Sequence, residues 1–376
     1  MKIAINARLL KAVPGDGISR FTYEVVKRLV ASPGNHRIAL VFDTEPDKRL
    51  SFSDSTDIHV IKPPSRHPVL WYTWHEWQLP PLLQITGADI FLSPDGIISL
   101  RSSVPSVPVI HDINFYHRPK DIPPLTSLYY RTFFNLFAHK AARIITVSGF
   151  CKQDISEHLN VSPGKIDVAY NGISDYFTPA APAETENFRE QLTGGSPYFL
   201  FVGNFSPRKN IAGLISAFNL FRKNSGLNHK LVLTGGRLYL NREADKVIKV
   251  SPFREDIILT GQMKHEELRI VYSSATALVF IPWFEGFGIP AAEAMRCGTP
   301  VILSSTSSLP EIGGDAALYV NPADPRDVSE AMVKVADSTA LRNEMSVKGL
   351  SWSEKFTWDK TSEAVMNSLE KALNEI

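Results

Sequence analysis

The chain has 376 residues, of which 44% are hydrophobic and 21% are charged, a composition typical of a soluble globular protein with room for two domains. The 40 Lys and Arg residues nearly balance the 39 Asp and Glu residues, so the net charge of +1 gives no electrostatic basis for binding nucleic acid. Cys151 and Cys297 form no C-x-x-C pair, which argues against both a disulfide framework and a cysteine-rich zinc cluster.

The first half of the chain alternates short apolar runs with longer helical patterns. The apolar runs span residues 2–5, 38–42, 90–92, 107–110 and 144–147. Runs of this length are typical of buried parallel strands. The alternation therefore predicts βαβ units on a parallel sheet.

A loop with two glycines, residues 13–20, follows the first predicted strand. The helix that it opens has apolar residues at helical spacing from Val25 to Val30. Glycine lets the backbone come close to a ligand, so Gly17 is a candidate binding residue. An ordinary turn explains the same pattern equally well.

Three tryptophans, Trp71, Trp74 and Trp77, recur every three residues in a predicted helix. Such a stripe is most often packed in a core. Tryptophan also favours membrane interfaces, so a lipid-facing or acceptor-binding surface is the alternative. Because the chain has no run of 18 apolar residues and no secretory apolar segment, we expect a cytoplasmic protein with at most peripheral membrane contact.

His111 and Asp112 follow the predicted strand at 107–110. A histidine at the carboxyl end of a strand can donate to a sugar hydroxyl or stabilise charge near a reacting centre, although a lone histidine is usually structural. His111 and His117 do not form the H-E-x-x-H pattern of zinc hydrolases, and His75-Glu76 lacks the second histidine. We therefore predict no required metal.

A stretch opening with Pro and Ala residues, 176–197, predicts a linker between two domains. The strand rhythm then returns at residues 198–202, 230–233, 257–259, 278–281 and 301–303. The predicted fold class is α/β, with two doubly wound domains whose strand carboxyl ends line a cleft. We predict an N-terminal domain of residues 1–176 and a C-terminal domain of residues 177–357.

Adjacent cations follow the first strand of the predicted C-terminal domain. Gly203 comes directly after that strand, and Arg208 and Lys209 stand just before a helix. Arginine offers a planar fork and lysine a compact charge, and both suit the oxygens of a departing diphosphate, whose negative charge grows. The alternative is a solvated basic turn.

Two carboxylates flank a glycine turn after the predicted strand at 277–281. The turn consists of Glu285, Gly286, Phe287 and Gly288. Pro290 suits a first helical position, so a helix should begin near Ile289 and direct its unpaired amides toward a diphosphate. Glu285 and Glu293 can then accept hydrogen bonds from the hydroxyls of a sugar and a ribose. The alternative is a solvated carboxylate and a charge favoured by the helix dipole.

These stretches closely resemble the retaining glycosyltransferases of family 4. The resemblance is carried by the E-x7-E frame from Glu285 to Met295, by Cys297 to Val301, and by the G-x-x-x-P-R-K-N pattern from Gly203 to Asn210. In that family the first Glu contacts the donor sugar and the second the donor ribose, which implies these roles for Glu285 and Glu293. The resemblance likewise implies that Arg208 and Lys209 hold the donor phosphates.

The resemblance also implies the GT-B architecture, in which two Rossmann-like domains face a central cleft. The last helix, here about residues 358–376, would cross back to the N-terminal, acceptor-side domain. His111 matches the loop that reaches the donor sugar. The donor-binding residues that the resemblance adds are Gly17, Gly203, Gly286, Phe287 and Gly288. The chain lacks the D-x-D motif of metal-dependent glycosyltransferases.

The resulting expectation is a metal-independent retaining glycosyltransferase without a cofactor. Its donor would be a nucleoside diphosphate sugar, and its acceptor a hydroxyl of a glycan or lipid-linked saccharide. Mannose from GDP-mannose is the first choice, because residues 111–115 and 207–210 resemble bacterial mannosyltransferases of polysaccharide assembly. The alternatives are a UDP-sugar-dependent transferase, a nucleotide-sugar epimerase or hydrolase, and a non-catalytic sugar-nucleotide binder.

Overall fold

A computed structural model of the chain describes residues 1–13, 15–52, 56–236 and 242–375. The chain divides into two compact units. Unit 1 comprises Met1–Gly172 and Thr357–Ile376, and unit 2 comprises Ile173–Phe356. The boundaries predicted from the sequence are 176/177 and 357/358. The first boundary in the structure, at 172/173, therefore lies a few residues earlier in the chain.

The strands and helices alternate along the described chain. The strands are β1 (Lys2–Asn6), β2 (Arg37–Phe42), β3 (Asp57–Val60), β4 (Ile90–Ser93), β5 (Ser106–Pro108), β6 (Ile144–Thr146), β7 (Ile166–Val168), β8 (Tyr198–Val202), β9 (Lys230–Thr234), β10 (Ile257–Gly261), β11 (Ala277–Phe280), β12 (Val301–Ser304) and β13 (Ala317–Val320). The α-helices are α1 (Gly17–Ala31), α2 (Pro68–Thr73), α3 (Leu79–Ile85), α4 (Asn114–His117), α5 (Pro124–Lys140), α6 (Gly149–His158), α7 (Pro182–Thr193), α8 (Ile211–Ser225), α9 (Arg242–Val250), α10 (His265–Ser273), α11 (Ile289–Arg296), α12 (Leu309–Gly313), α13 (Pro325–Asp337), α14 (Thr339–Ser353) and α15 (Trp358–Asn374).

The main sheet of unit 1 has five parallel strands in the order β3-β2-β1-β4-β5. In register, Ala4 of β1 lies between Ala39 and Phe91. Strands β6 and β7 pair with each other, and a parallel bridge between Val109 and Ile145 joins them to the end of β5. The strand order reverses between β1 and β4, which makes this pair the topological switch point of unit 1.

Unit 2 has a six-stranded sheet in the order β10-β9-β8-β11-β12-β13, with each neighbouring pair parallel. Leu200 of β8 lies between Val232 and Leu278. Strands β8, β11 and β12 are buried throughout, as expected of a parallel sheet covered on both faces. The predicted class, two doubly wound α/β units, is confirmed, and the switch point of unit 2 lies between β8 and β11.

The two ends of the chain meet in unit 1. Helix α1 begins at a capping box, in which Ser19 N donates to Asp16 Oδ1 at 2.8 Å and Asp16 N donates to Ser19 Oγ at 3.2 Å. Helix α15 packs against α1, and its Thr361 Oγ1 donates to the carbonyl of Tyr170 at 2.6 Å. The C-terminal helix is thus part of the unit formed by the N-terminal residues.

The tryptophan stripe is split between the core and the surface. Trp74 is buried, and its Nε1 donates to the carbonyl of Ile61 at 3.1 Å, whereas Trp77 is 58% exposed beneath the guanidinium of Arg101. A π-helical segment, Trp74–Gln78, separates α2 from α3, and its wider turn takes Trp77 out of the helical face that regular spacing predicts. Because Trp74 is buried, the interpretation of the stripe as a lipid-facing or acceptor-binding surface is wrong for this residue. No helix among the described residues combines the length and apolar character needed to cross a bilayer.

Candidate functional site

Two loops of unit 2 follow the strands at its switch point. A 3-10 turn, Pro207–Lys209, comes after β8, and the segment 281–288 comes after β11, which is the neighbour of β8 in the sheet. Open α/β sheets bind ligands at the carboxyl ends of the strands where the strand order reverses. The topology therefore brings together the predicted cations and the predicted glycine turn.

Arg208, Lys209 and Glu285 form one ion-pair cluster. Arg208 Nη1 lies 2.7 Å from Glu285 Oε2, and Lys209 Nζ lies 2.5 Å from the same oxygen. The Lys209 side chain is only 7% exposed, and its ammonium also lies 4.7 Å from the centre of the Phe280 ring. These contacts exclude the solvated basic turn as a description of Lys209. With two cations and one carboxylate, the cluster has a net charge of +1 to offer an anion.

Glu285 is ionised at neutral pH. Burial by itself would raise the pKa of its carboxyl group, but the charges of Arg208 and Lys209 outweigh burial, and the pKa lies below its ordinary value of 4.5. The carboxylate can therefore act only as a hydrogen-bond acceptor and a negative charge. It is not a proton donor at physiological pH.

Asn210 and the backbone hold the cationic turn against the loop after β11. Asn210 has a left-handed backbone with φ of 55°, a conformation that Asn tolerates better than most residues. Its Nδ2 donates to the carbonyls of Ile281 at 3.2 Å and Pro322 at 2.8 Å. Trp283 N donates to the carbonyl of Arg208 at 2.8 Å. The turn is thus fixed by neutral hydrogen bonds as well as by the ion pairs.

Two serines after β12, Ser307 and Ser308, fasten the glycine turn from its other side. Ser308 Oγ donates to the carbonyls of Glu285 at 2.9 Å and Phe287 at 3.1 Å, and Glu285 N donates to Ser307 Oγ at 3.2 Å. The sequence motifs do not include these serines. Their position could have identified them, because they lie between β12, which is the neighbour of β11, and helix α12, which has a proline near its start.

The glycine turn leads into α11 as predicted, and the helix begins at Ile289. Gly288 has φ of 96°, and a Cβ there would lie 2.5 Å from Leu309 Cδ2, so glycine is required at this position. Phe287 is buried and makes an edge-on contact with Phe356 at 5.4 Å between ring centres. Gly286 is part of the segment that connects Glu285 to the start of α11.

Glu293 lies in the interior, on the second turn of α11. Its Oε2 accepts a hydrogen bond from the hydroxyl of Tyr272 at 2.8 Å, and Thr299 Oγ1 donates to the carbonyl of the same tyrosine, also at 2.8 Å. The structure brings Arg208 and Lys209 onto Glu285, whereas it places Glu293 against Tyr272. The expected ribose contact of Glu293 stays a prediction, and no sequence pattern pointed to Tyr272.

Gly203 is packed against Gly235, the residue after β9. Gly203 has φ of 148° and Gly235 has φ of 146°. A Cβ on Gly235 would lie 1.9 Å from the carbonyl oxygen of Gly203, so this contact between two backbones requires a glycine. The expected donor contact of Gly203 stays a prediction, but the backbone that leads from β8 to Arg208 depends on this packing.

Gly235→Ala is expected to destabilise the protein by about 2–4 kcal/mol, because the new methyl group meets a backbone carbonyl and the positive φ is strained. The matched control is Gly226→Ala. Gly226 has φ of 69°, and a Cβ at this position would have nothing within 4 Å, so strain alone should cost about 1 kcal/mol. Urea unfolding of both variants measures the difference, and equal losses would contradict the packing argument.

The candidate residues of unit 1 are His111 and Gly17. His111 Nε2 lies 2.8 Å from the carbonyl of Pro94, and its ring packs edge-on against Phe21 at 5.0 Å. Since a carbonyl can only accept, Nε2 carries the proton and Nδ1 the lone pair. Burial lowers the pKa of His111, so the ring is neutral at pH 7. Gly17 is the exposed first residue of α1, directly after the capping Asp16. Neither expected role is tested by these contacts.

Two protein-family models match this chain. Residues 15–176 match the model of the Glycosyltransferase Family 4 domain, and residues 183–352 match the model of the Glycosyl transferases group 1 domain. O-antigen chain mannosyltransferase B of Escherichia coli is 26% identical over 98% of this chain and 99% of that protein. O-antigen chain mannosyltransferase RfbU of Salmonella typhimurium is 28% identical over 71% of each.

Solved structures share the fold at low sequence identity. Sucrose-phosphate synthase from Thermosynechococcus elongatus superposes with a TM-score of 0.79 at 17% identity, covering 99% of this chain and 98% of that chain. Anabaena HepE in complex with UDP-glucose superposes with a TM-score of 0.75 at 16% identity, covering 99% and 100%. The chain therefore has the GT-B fold and belongs to the glycosyltransferases, with a Family 4 domain followed by a group 1 domain.

Proposed function

We propose that this glycosyltransferase moves a hexose from a nucleoside diphosphate sugar to a hydroxyl of a glycan or lipid-linked saccharide, with retention at the anomeric carbon and without a metal ion. The observation that carries the proposal is the cluster of Arg208, Lys209 and Glu285 at the switch point of unit 2. Mannose from GDP-mannose is the proposed donor. It is supported by the relatives in Escherichia coli and Salmonella typhimurium, both described as mannosyltransferases.

The cluster suits the departure of a diphosphate. Its net positive charge and the amides at the start of α11 would stabilise the negative charge that grows on the leaving phosphate. The bond between the anomeric carbon and the phosphate oxygen breaks as the acceptor oxygen forms its bond on the same face. The acceptor proton passes to the leaving phosphate, so no protein base is required. Glu285, ionised and fixed by two cations, would orient sugar hydroxyls as an acceptor.

A UDP-sugar donor is the second candidate. The support for it is the likeness to Anabaena HepE, whose solved complexes contain UDP and UDP-glucose. A lipid-linked acceptor would bring the enzyme to a membrane surface, and the exposed Trp77 beneath Arg101 has the aromatic and cationic character suited to such a surface. Peripheral membrane contact is therefore part of the proposal.

Thermal unfolding with GDP, UDP and ADP, each with and without magnesium, tests the donor. A ligand at about 100 times its Kd adds about 2.7 kcal/mol to the free energy of unfolding, so we expect GDP to raise the Tm with or without magnesium. A rise with UDP alone would choose the UDP-sugar candidate. A rise that requires magnesium would contradict metal independence, and no rise with any nucleotide would remove the proposed donor site.

An assay with the matching nucleotide sugar then tests the reaction. Transfer requires both donor and acceptor, whereas an epimerase or hydrolase would consume the donor alone and a non-catalytic binder would consume nothing. The anomeric configuration of the product, read by proton NMR, tests retention. An inverted product would overturn the proposed mechanism and leave the donor site intact.

A further inference from the structure

Three side chains of unit 1 converge on the surface between α4 and α6. His117 is the last residue of α4, and Asp154 and His158 both belong to α6. Because Asp154 and His158 are four residues apart, they lie on the same face of their helix. None of the three belongs to the residues assigned to sugar transfer.

The three groups are close enough to bind one ion. His117 Nε2 lies 2.7 Å from Asp154 Oδ1, and His158 Nδ1 lies 3.1 Å from the same oxygen. One ligand atom from each side chain lies within 4.8 Å of the others. Ligand atoms about 2.0–2.2 Å from a tetrahedral zinc ion stand roughly 3.3–3.6 Å apart. From their present distances of 2.7 and 3.1 Å, His117 Nε2 and Asp154 Oδ1 would have to separate by roughly 0.6–0.9 Å, and His158 Nδ1 and Asp154 Oδ1 by roughly 0.2–0.5 Å.

The carboxylate of Asp154 is poorly satisfied by protein groups. Its side chain is 6% exposed, and its Oδ2 is buried without a hydrogen-bond partner within the part of the chain that the structure describes. An unpaired buried carboxylate oxygen is costly. His117 Nε2 donates to the other oxygen, Oδ1, whereas His158 Nδ1 donates to the backbone carbonyl of Asp154 at 3.0 Å and lies 3.1 Å from Oδ1. Hydrogen bonding within the cluster therefore leaves half of the carboxylate unused.

The two imidazole rings are held in place but remain accessible. His117 packs edge-on against His158 with 4.7 Å between ring centres, and Tyr116 packs against His158 at 4.8 Å. The side chains of His117 and His158 are 29% and 30% exposed. An ion could therefore enter from solvent and keep water in its remaining coordination positions.

We infer that His117, Asp154 and His158 form a binding site for a divalent transition metal, with Zn²⁺ as the preferred ion. Two imidazole nitrogens and one carboxylate oxygen are a ligand set that zinc takes in three-ligand protein sites with water in the fourth position. Each imidazole would present a lone pair in place of the proton that it now donates. Sequence spacing alone does not reveal the set, because His117 comes from a different element than the other two ligands.

The site would have a positioning role rather than a part in the transfer chemistry. Helix α4 begins at Asn114, two residues after Asp112, whose Oδ1 accepts from Asn114 N at 2.9 Å. A metal that ties His117 to α6 would restrain this short helix, and with it the segment that starts at His111. Metal-independent transfer and a zinc-stabilised α4 are therefore compatible.

The test uses the full-length chain without a histidine tag, freed of metal by a chelator. Titration with Zn²⁺ followed by calorimetry should give one saturable site per chain, and Co²⁺ should give the visible absorption bands of a tetrahedral site. Asp154→Asn and His158→Gln should each weaken zinc binding at least about 100-fold, the upper end of the effects seen for groups that support metal binding. His139→Gln is the control, because His139 is an exposed histidine on the neighbouring α5.

Zinc should also raise the Tm of the wild type and of His139→Gln, but not that of His158→Gln. If Asp154→Asn does not fold, His158→Gln decides, because it changes a partly exposed ring. Absence of saturable zinc binding by the wild type, or equal binding by His158→Gln, would overturn the inference. Both results are independent of whether the chain transfers mannose.

Discussion

Replacing Glu285 with Gln is expected to lower kcat for sugar transfer by about 100-fold or more, while the Kd for the nucleoside diphosphate falls. Removing one preorganised electrostatic contact typically costs about 10²–10³ in rate. The affinity for the diphosphate should rise, because the Glu285 carboxylate now offsets the charges of Arg208 and Lys209, whose nitrogens lie 2.7 and 2.5 Å from its Oε2. An uncharged amide removes a negative charge from beside both cations and so strengthens their attraction for the phosphates.

The matched control for Glu285→Gln is Glu184→Gln. Glu184 is also a carboxylate of unit 2 paired with an arginine, Arg269, at 3.1 Å, but its side chain is 51% exposed. An exposed ion pair contributes little, and glutamine can still accept the hydrogen bond at the start of α7. We expect wild-type kcat and Kd for this variant. Wild-type transfer by a folded Glu285→Gln protein would remove Glu285 from the catalytic group.

The sequence was sufficient to predict that the cationic turn and the glycine turn lie beside each other. Both follow apolar runs that could be recognised as buried parallel strands, and in a doubly wound sheet the carboxyl ends of such strands share an edge. The start of α11 was also predictable, because Gly288 and Pro290 mark a helix boundary by their backbone preferences alone. These are local signals, and they do not depend on tertiary contacts.

Contacts that depend on tertiary packing were not predictable. The opposed backbones of Gly203 and Gly235 and the hydrogen bond from Tyr272 to Glu293 join residues that are far apart in the chain. The tryptophan stripe shows a different difficulty, since regular spacing predicts one helical face only if the helix is regular. The π-helical segment at Trp74–Gln78 breaks that condition, and Trp77 is consequently exposed while Trp74 is in the core.

Replacing Lys209 with Met is expected to lower kcat by about 100-fold or more and to raise the Kd for the nucleoside diphosphate about tenfold. Methionine keeps an unbranched apolar stem beside Phe280, where the lysine ammonium now lies 4.7 Å from the ring centre, so the fold should persist. The lost ammonium takes away one of the two charges proposed to stabilise the leaving phosphate. A tenfold change in Kd corresponds to about 1.4 kcal/mol.

Lys348→Met is the control for this variant. Lys348 is paired with a carboxylate in the same unit, Glu344, at 2.6 Å, but on an exposed helix surface, so transfer should be unaffected. Glu285→Gln and Lys209→Met both break the ion pair between Glu285 and Lys209, yet they should move the Kd for the diphosphate in opposite directions. A structural loss common to both variants would move it the same way. Opposite shifts, measured by calorimetry, would therefore assign the cations to the phosphates, and parallel shifts would reduce the cluster to a structural ion pair.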